Sequence, residues 1–200
     1  MNLPQAHIVD DDEAIRDALS WLLKSRSIPS TTYASAEDFL AVWSPQLAGC
    51  IVLDMRMTGM TGLDCFEQLQ ERQSTLPVIF LTGHGDVPLA VATLKKGAFD
   101  FFEKPLNDNE LASRIAEAIA HNAEQRENNA SLSSLNKRLA NLTSREKQIM
   151  ELVLAGKLNK IIADQLNISM RTVEVHRANI FDKMAVKTAV ELANLINPTR

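Results

Sequence analysis

Three kinds of side chain in the first 104 residues of this 200-residue chain could together carry out phosphoryl transfer. Asp10 and Asp11 follow the apolar run Ala6-His7-Ile8-Val9, and Asp54 follows Cys50-Ile51-Val52-Leu53. Thr82 ends Pro77-Val78-Ile79-Phe80-Leu81, and Lys104 comes just after Phe101-Phe102-Glu103. Three carboxylates converging on one rim repel one another, so at least one pKa rises unless a cation joins them. A hard divalent ion such as Mg²⁺ meets that need with few carboxylates, waters and a phosphate oxygen. A lysine at the same rim supplies a point charge for a phosphoryl oxygen, and a threonine hydroxyl supplies a donor. Asp54 would then be the nucleophile that forms an aspartyl phosphate, since phosphoryl transfer needs mainly positioning and charge neutralisation. Each residue has a plainer use when taken singly. Thr82 could sit in a turn, Lys104 could be a solvated charge, and the acidic residues could cap helices.

A parallel sheet would bring all of them to one rim. Residues 6–9, 50–54, 77–82 and 98–102 read as strands, and the more polar 30–33 as an edge strand. A helical pattern follows each of them. Asp12 caps the first helix, with Ile15, Leu19, Leu22 and Leu23 inward. Ser35 and Asp38 form a capping box that opens a second helix through Phe39, Leu40 and Trp43. A third helix spans 62–73 with Leu63, Phe66 and Leu69 inward. A fourth spans 87–96 and stops at Gly97. A fifth starts near Asn107 or Asp108 and carries Leu111, Ile115 and Ile119. Five alternations imply an α/β fold with right-handed crossovers and helices on both faces of the sheet. Ligand sites in such sheets lie beyond the carboxyl ends of the strands.

With those stretches in place, residues 1–120 resemble the receiver domain of two-component response regulators, a flavodoxin-like fold with a five-stranded parallel sheet. The resemblance rests on His7-Ile8-Val9-Asp10-Asp11, Leu53-Asp54-Met55-Arg56-Met57, Leu81-Thr82-Gly83-His84-Gly85-Asp86 and Phe101-Phe102-Glu103-Lys104-Pro105. It implies that Asp54 is the phosphoacceptor. It also implies that Asp11, Asp54 and the Arg56 carbonyl hold Mg²⁺, with Asp10 acting through water. Lys104 would contact the phosphoryl group, the Lys104–Pro105 peptide bond would be cis, and Thr82 and Phe101 would be paired switch residues. Thr58 stands where that family usually has proline.

The rest of the chain differs in charge. Residues 1–120 hold 9 Lys/Arg against 17 Asp/Glu, and residues 141–200 hold 9 against 6. A mildly basic back half is a candidate for nucleic acid. Residues 121–140 are polar and free of Pro and Gly, so the last receiver helix could run on through this linker. Leu132, Leu135, Leu139 and Leu142 recur at helical spacing and read as a stripe packing on the second domain. Residues 141–200 read as an all-α four-helix domain. Thr143 and Glu146 form a capping box before Ile149, Leu152 and Val153, and that helix ends at Gly156. Asn159 caps a short helix reaching Leu166, and Ser169 caps a third that runs to about Met184. A closing helix spans about 188–196. The middle pair is a helix-turn-helix.

On the third of these helices Val173, Ile180 and Met184 face inward, while Arg171, Glu174, Val175, Ala178 and Asp182 face out. Outward Val175 and Ala178 suit thymine methyls in a major groove, and Glu174 can accept from cytosine N4. Lys160, Ser169, Thr172, Arg177, Lys183 and Lys187 flank that face and suit phosphates. His176, with no second ligand at metal spacing, reads as packed or phosphate-contacting. Leu142-Thr143-Ser144-Arg145-Glu146, Asn159-Lys160 and Ser169-Met170-Arg171-Thr172-Val173-Glu174-Val175-His176-Arg177 resemble the LuxR-type helix-turn-helix domain. With the receiver, they point to the FixJ/NarL group of transcription regulators. Ile161 stands where that group usually has a polar residue. The resemblance implies a sensor histidine kinase, promoter DNA and RNA polymerase as partners, and a homodimer when phosphorylated.

Other classes fit less well. No stretch is long and apolar enough for a membrane span, and the start carries no basic leader, so a cytoplasmic protein is expected. The two cysteines, Cys50 and Cys65, read as reduced. An enzyme of the haloacid-dehalogenase type would need a second acid two residues after the nucleophile, where Arg56 stands. A receiver serving only as a dimerisation scaffold would have little use for the acidic cluster. A regulator rather than an enzyme is therefore expected.

Overall fold

The strand that Asp54 ends is buried along its whole length, Gly49–Asp54, as a strand covered on both faces must be. In the computed structural model, which describes residues 3–83 and 87–197 apart from the side chains of residues 87, 88 and 90, it is β3 of a five-stranded parallel sheet. The others are β1 (Gln5–Val9), β2 (Ser30–Tyr33), β4 (Val78–Thr82) and β5 (Asp100–Glu103), in the order β2-β1-β3-β4-β5. Polar β2 is an edge, as expected. The helices between strands are α1 (Glu13–Ser25), α2 (Ala36–Val42), α3 (Gly62–Glu71) and α4 (Val87–Lys95), and α5 (Asp108–Ala140) follows β5. Side chains of β3 alternate between two cores. Ile51 and Leu53 pack with Phe39, Phe66 and Leu69 of α2 and α3. Cys50 and Val52 pack with Leu19 and Leu23 of α1 and with Leu111 and Ile115 of α5.

Local chemistry sets most element ends. The Asp12 side chain accepts from the Ala14 amide and opens α1. Ser35 accepts from the Asp38 amide, and only this half of the expected box forms. Trp43 lies just past α2, where its ring N–H donates to Ser74. α3 stops two residues earlier than expected, with Gln73 in the left-handed region. β5 starts two residues later than expected, because the Ala98 amide still bonds back to Thr93 at the end of α4. His84, Gly85 and Asp86, expected to end the fourth strand segment, lie outside the described residues. The Lys104–Pro105 bond is cis.

The chain divides into two compact units, Met1–Glu127 and Asn128–Arg200, with the division inside α5. The stretch expected as a linker is therefore helical throughout, and its first part is anchored in the first unit. Asn122 is fully buried. Its Oδ1 accepts from the Gly49 amide at 3.0 Å, and its Nδ2 donates to the Thr75 carbonyl at 2.8 Å. Arg126 donates to the carbonyls of Pro45, Gln46 and Leu47.

The second unit packs α6 (Ser144–Leu154), α7 (Asn159–Leu166), α8 (Met170–Met184) and α9 (Ala189–Ile196) around Ile149, Val153, Ile162, Val173, Ile180 and Leu192. Leu135 and Leu139 of α5 join this core with buried Leu142, while Leu132 stays exposed. Thr143 and Glu146 make the full capping box. Asn159 is not a cap: the helix begins on it, and Leu158, which has no side-chain acceptor, stands in the cap position. Asn167 makes the left-handed turn between α7 and α8, and Ser169 caps α8.

Asn122→Ala leaves the buried Gly49 amide without a partner and removes the bond to the partly exposed Thr75 carbonyl. It should cost the first unit about 2 kcal/mol. Both tryptophans, Trp21 and Trp43, lie in that unit, so their fluorescence in urea reads it alone. Glu124→Ala, on the exposed side of α5, should leave the midpoint unchanged.

Candidate functional site

The acidic residues meet at the C-terminal edge of the sheet, where one oxygen from each of Asp10, Asp11 and Asp54 lies within 4.8 Å of the others. Backbone rungs put them there. The Met55 amide donates to the Leu81 carbonyl at 2.9 Å, and the Lys104 amide donates to the Thr82 carbonyl at 2.8 Å. Those two rungs hold Asp54 and Lys104 on either side of β4. The Lys104 ammonium then reaches Asp54 Oδ1 at 2.5 Å and Asp10 Oδ2 at 3.0 Å. The Asp12 amide donates to Asp10 Oδ1 and the Arg56 amide to Asp54 Oδ2, each at 2.9 Å. Asp11 Oδ2 accepts from the amide and the hydroxyl of Thr58.

The charges respond to these contacts. Burial pushes the Asp54 carboxyl above the usual carboxylate range; the Lys104 hydrogen bond opposes this and the Asp10 charge adds to it. A paired cation ordinarily lowers its carboxylate, so desolvation wins here. Burial alone would lower the Lys104 ammonium, but its bonds to Asp54 and Asp10 raise it. The Thr58 amide, and then the hydroxyl, hold Asp11 low. A set of converging carboxylate oxygens at a partly open rim matches a hard cation such as Mg²⁺ and not a soft one. Asp10, Asp11 and Asp54 could hold it. The Arg56 amide fixes the Asp54 carboxylate, and its side chain is exposed.

Thr82 ends β4 as expected, yet its buried hydroxyl donates at 3.4 Å to the Phe102 carbonyl and not to the carboxylates. Phe101 is half-buried against the core under α2 and α3. One residue with a role here was read only as a helix start. A Cβ on Gly62 would lie 2.1 Å from the Asp54 carbonyl oxygen, so only glycine lets α3 begin against the Asp54 backbone. A glycine eight residues past a strand-ending Asp was the available signal.

Two family models match the chain: the response regulator receiver domain over residues 6–116, and the bacterial regulatory proteins of the luxR family over residues 140–196. The chain belongs to the response regulators. It is 47% identical over 191 residues to the C4-dicarboxylate transport transcriptional regulatory protein DctR of Rhodobacter capsulatus, covering 94% of this chain and 97% of that protein. It is 43% identical over 189 residues to the transcriptional regulatory protein FixJ of Azorhizobium caulinodans, covering 94% and 90%. Among solved structures, response regulator StyR matches with a TM-score of 0.92 at 37% identity, over 99% of this chain and all of that one. Full-length FixJ from B. japonicum matches with a TM-score of 0.59 at 39% identity, over 98% and 96%. The protein is thus a two-component response regulator with a LuxR-type DNA-binding domain. No helix among the described residues is long and apolar enough to cross a membrane.

In this response regulator α8 is held by three devices. Val173, Ile180 and Met184 are buried. Arg138 of α5 donates to the Met184 carbonyl at 2.9 Å and satisfies the helix end. Lys183 pairs with Glu146 of α6 at 2.7 Å. Arg171, Glu174, Val175, Ala178 and Asp182 are exposed together, as the spacing predicted. Lys160, Ser169 and Lys187 are exposed around them, while Thr172 and Arg177 are partly covered. Thr172 shares a hydroxyl contact with Ser169 in the cap, and the Arg177 guanidinium lies over the Phe181 ring. Lys183, expected among the phosphate contacts, pairs its ammonium with the almost fully buried carboxylate of the capping-box acid Glu146.

The Lys183 hydrogen bond, opposed by desolvation and helped by Thr143, holds the Glu146 carboxyl at about 2. The folded pKa is below the unfolded value of 4.5, so this stability is complete above about pH 4.5 and fades as the pH falls toward 2. Lys183→Met should cost the LuxR-type domain on the order of 2 kcal/mol at pH 7. That is less than for a fully buried pair, because the lysine side chain is 34% exposed. Far-ultraviolet circular dichroism in urea should show the loss at pH 7, and the deficit should shrink by pH 2.

Proposed function

We propose that this response regulator is switched by phosphorylation of Asp54 from a sensor histidine kinase, and that the phosphorylated form dimerises and binds promoter DNA. The observation that carries the proposal is Lys104 lying between Asp54 and Asp10 at a rim with Asp11 beside it. Such a rim is a prepared place for a phosphoryl group. An Asp54 oxygen attacks phosphorus, the phosphorus–nitrogen bond of the donor histidine breaks, and the imidazole keeps the electron pair and takes a proton. The Arg56 amide on Oδ2 fixes the plane of the carboxylate during attack by the other oxygen. That oxygen exchanges its contact with Lys104 for the bond to phosphorus, and the ammonium moves to a phosphoryl oxygen. Asp11, Asp54 and the Arg56 carbonyl, with Asp10 helping through water, would hold Mg²⁺, which would supply positive charge for the phosphoryl oxygens.

Thr82 has a hydroxyl to offer once it leaves the Phe102 carbonyl, and that movement would free Phe101 to turn inward. The face of α4, β5 and α5 would respond to it. Leu89 and Val91 are exposed there, and Arg114 pairs with Asp100 of β5 at 2.6 Å. A symmetric pair of recognition helices would then read a two-fold site. RNA polymerase is the partner expected at the promoter.

Asp54→Asn should abolish labelling by a small acyl phosphate, and with it phosphodonor-dependent dimerisation and DNA binding. Labelling equal to wild type would refute the assignment. On DNA, Lys187→Ala should weaken binding to all sequences alike and reduce the salt slope by about one unit. Glu174→Ala should instead relax preference at one base pair by about 1–3 kcal/mol. Quantitative footprinting on a randomised site, with and without the phosphodonor, separates the two effects.

A further inference from the structure

Two of the three rim carboxylates, Asp10 and Asp54, share the Lys104 ammonium, and the third is held by a different device. Asp11 Oδ2 accepts the Thr58 amide at 2.8 Å and the Thr58 hydroxyl at 2.9 Å. Both lone pairs of that oxygen are thereby used, and Oδ1 is left as the oxygen able to take a metal. The two residues are 47 positions apart, so the contact joins the loop after β1 to the loop after the acceptor.

The loop that carries Thr58 is itself fixed. The Met60 amide donates to Glu37 Oε1 at 3.0 Å, and the Gly62 amide donates to the Met55 carbonyl at 3.2 Å. Gly59, with φ of +81°, makes the turn between these anchors and Thr58. Thr58 is thus a post with two donors in set positions. Asp11 is an exposed side chain that would otherwise sample several rotamers. Residue type matters here, because a proline at 58 would carry neither donor, and valine would keep the amide but lose the hydroxyl.

We propose that Thr58 is a positioning residue for the cation site: it grips one oxygen of Asp11 so that the other is presented with Asp54 to Mg²⁺. The inference rests on the reading of the rim as a Mg²⁺ site. Metal-ligating carboxylates are commonly oriented by such outer hydrogen bonds, and losing one typically costs 10–100-fold in metal affinity. Thr58 therefore sets how readily the unphosphorylated receiver takes up the ion.

The test is calorimetric titration of the full chain with Mg²⁺ at pH 7, without any phosphodonor. Thr58→Val should bind about tenfold more weakly than wild type, the lower end of that range, because the amide contact survives. Thr58→Ser keeps both donors and should restore binding to near the wild-type value. Urea midpoints for both variants should match wild type, which separates orientation of a ligand from loss of fold. Thr58→Val binding Mg²⁺ as tightly as wild type, or more tightly, overturns the inference. Wild-type protein without saturable binding, or Asp11→Asn binding like wild type, would instead remove the reading of the rim itself.

Discussion

Everything at the business end of the first unit depends on one electrostatic problem: Asp54 is 6% exposed and Asp10 only 1%, with Asp11 close by. Buried charges of like sign are costly unless paired and hydrogen-bonded. The fold answers with Lys104, whose ammonium touches the two buried carboxylates, and with main-chain amides for their remaining oxygens. The answer is incomplete, since burial and Asp10 still push the Asp54 carboxyl up. That residual imbalance is chemically useful. A carboxylate short of compensation gains from a further cation at the rim.

Such proximity needs a scaffold that does not yield. Parallel strands end together, and the rungs from Met55 to Leu81 and from Lys104 to Thr82 fix the spacing between Asp54 and Lys104. The absent Cβ of Gly62 lets α3 start against the Asp54 main chain, which closes the loop below the rim. At the opposite end of β3, Gly49 is tied to Asn122. The strand carrying Asp54 is therefore pinned at both ends, and one pin lies in α5. Movement at the rim then has to come from side chains and loops such as Thr82 and residues 55–61.

The rim was legible in the sequence because each of its residues ends an apolar strand, and strand ends of a parallel sheet share an edge. The α8 faces were legible for a similar reason: the 3.6-residue period places Val173, Ile180 and Met184 together whatever the neighbours are. What escaped was contact between elements far apart in the chain. A polar helix stretch gives no sign that Asn122 will find two backbone partners, or that Arg126 will meet three carbonyls. Lys183 looked like any cation beside a DNA-facing helix until Glu146, 37 residues earlier, proved to be its partner. Asn159 looked like a cap because of its type, but the helix had already begun at that position. Thr58 was visible as a departure from the family pattern, though not as a donor to Asp11.

The exposed face of α8 carries apolar side chains that face solvent. Exposed apolar side chains scattered singly need no explanation. Val175 is 53% exposed, and it lies one turn from Ala178, with Glu174 beside it, on a helix whose other face is firmly held by Arg138 and Lys183. A helix so anchored cannot roll to hide that face, so its composition must suit whatever it meets. Water would favour longer polar side chains there. A groove lined with bases favours small apolar groups near thymine methyls, and the flexible cations kept to the margin where phosphates run. Lys160 and Lys187 are exposed, whereas Lys183 pairs with the buried Glu146 and so holds the helix. The division of labour between holding and reading is therefore set by which lysine faces a buried acid.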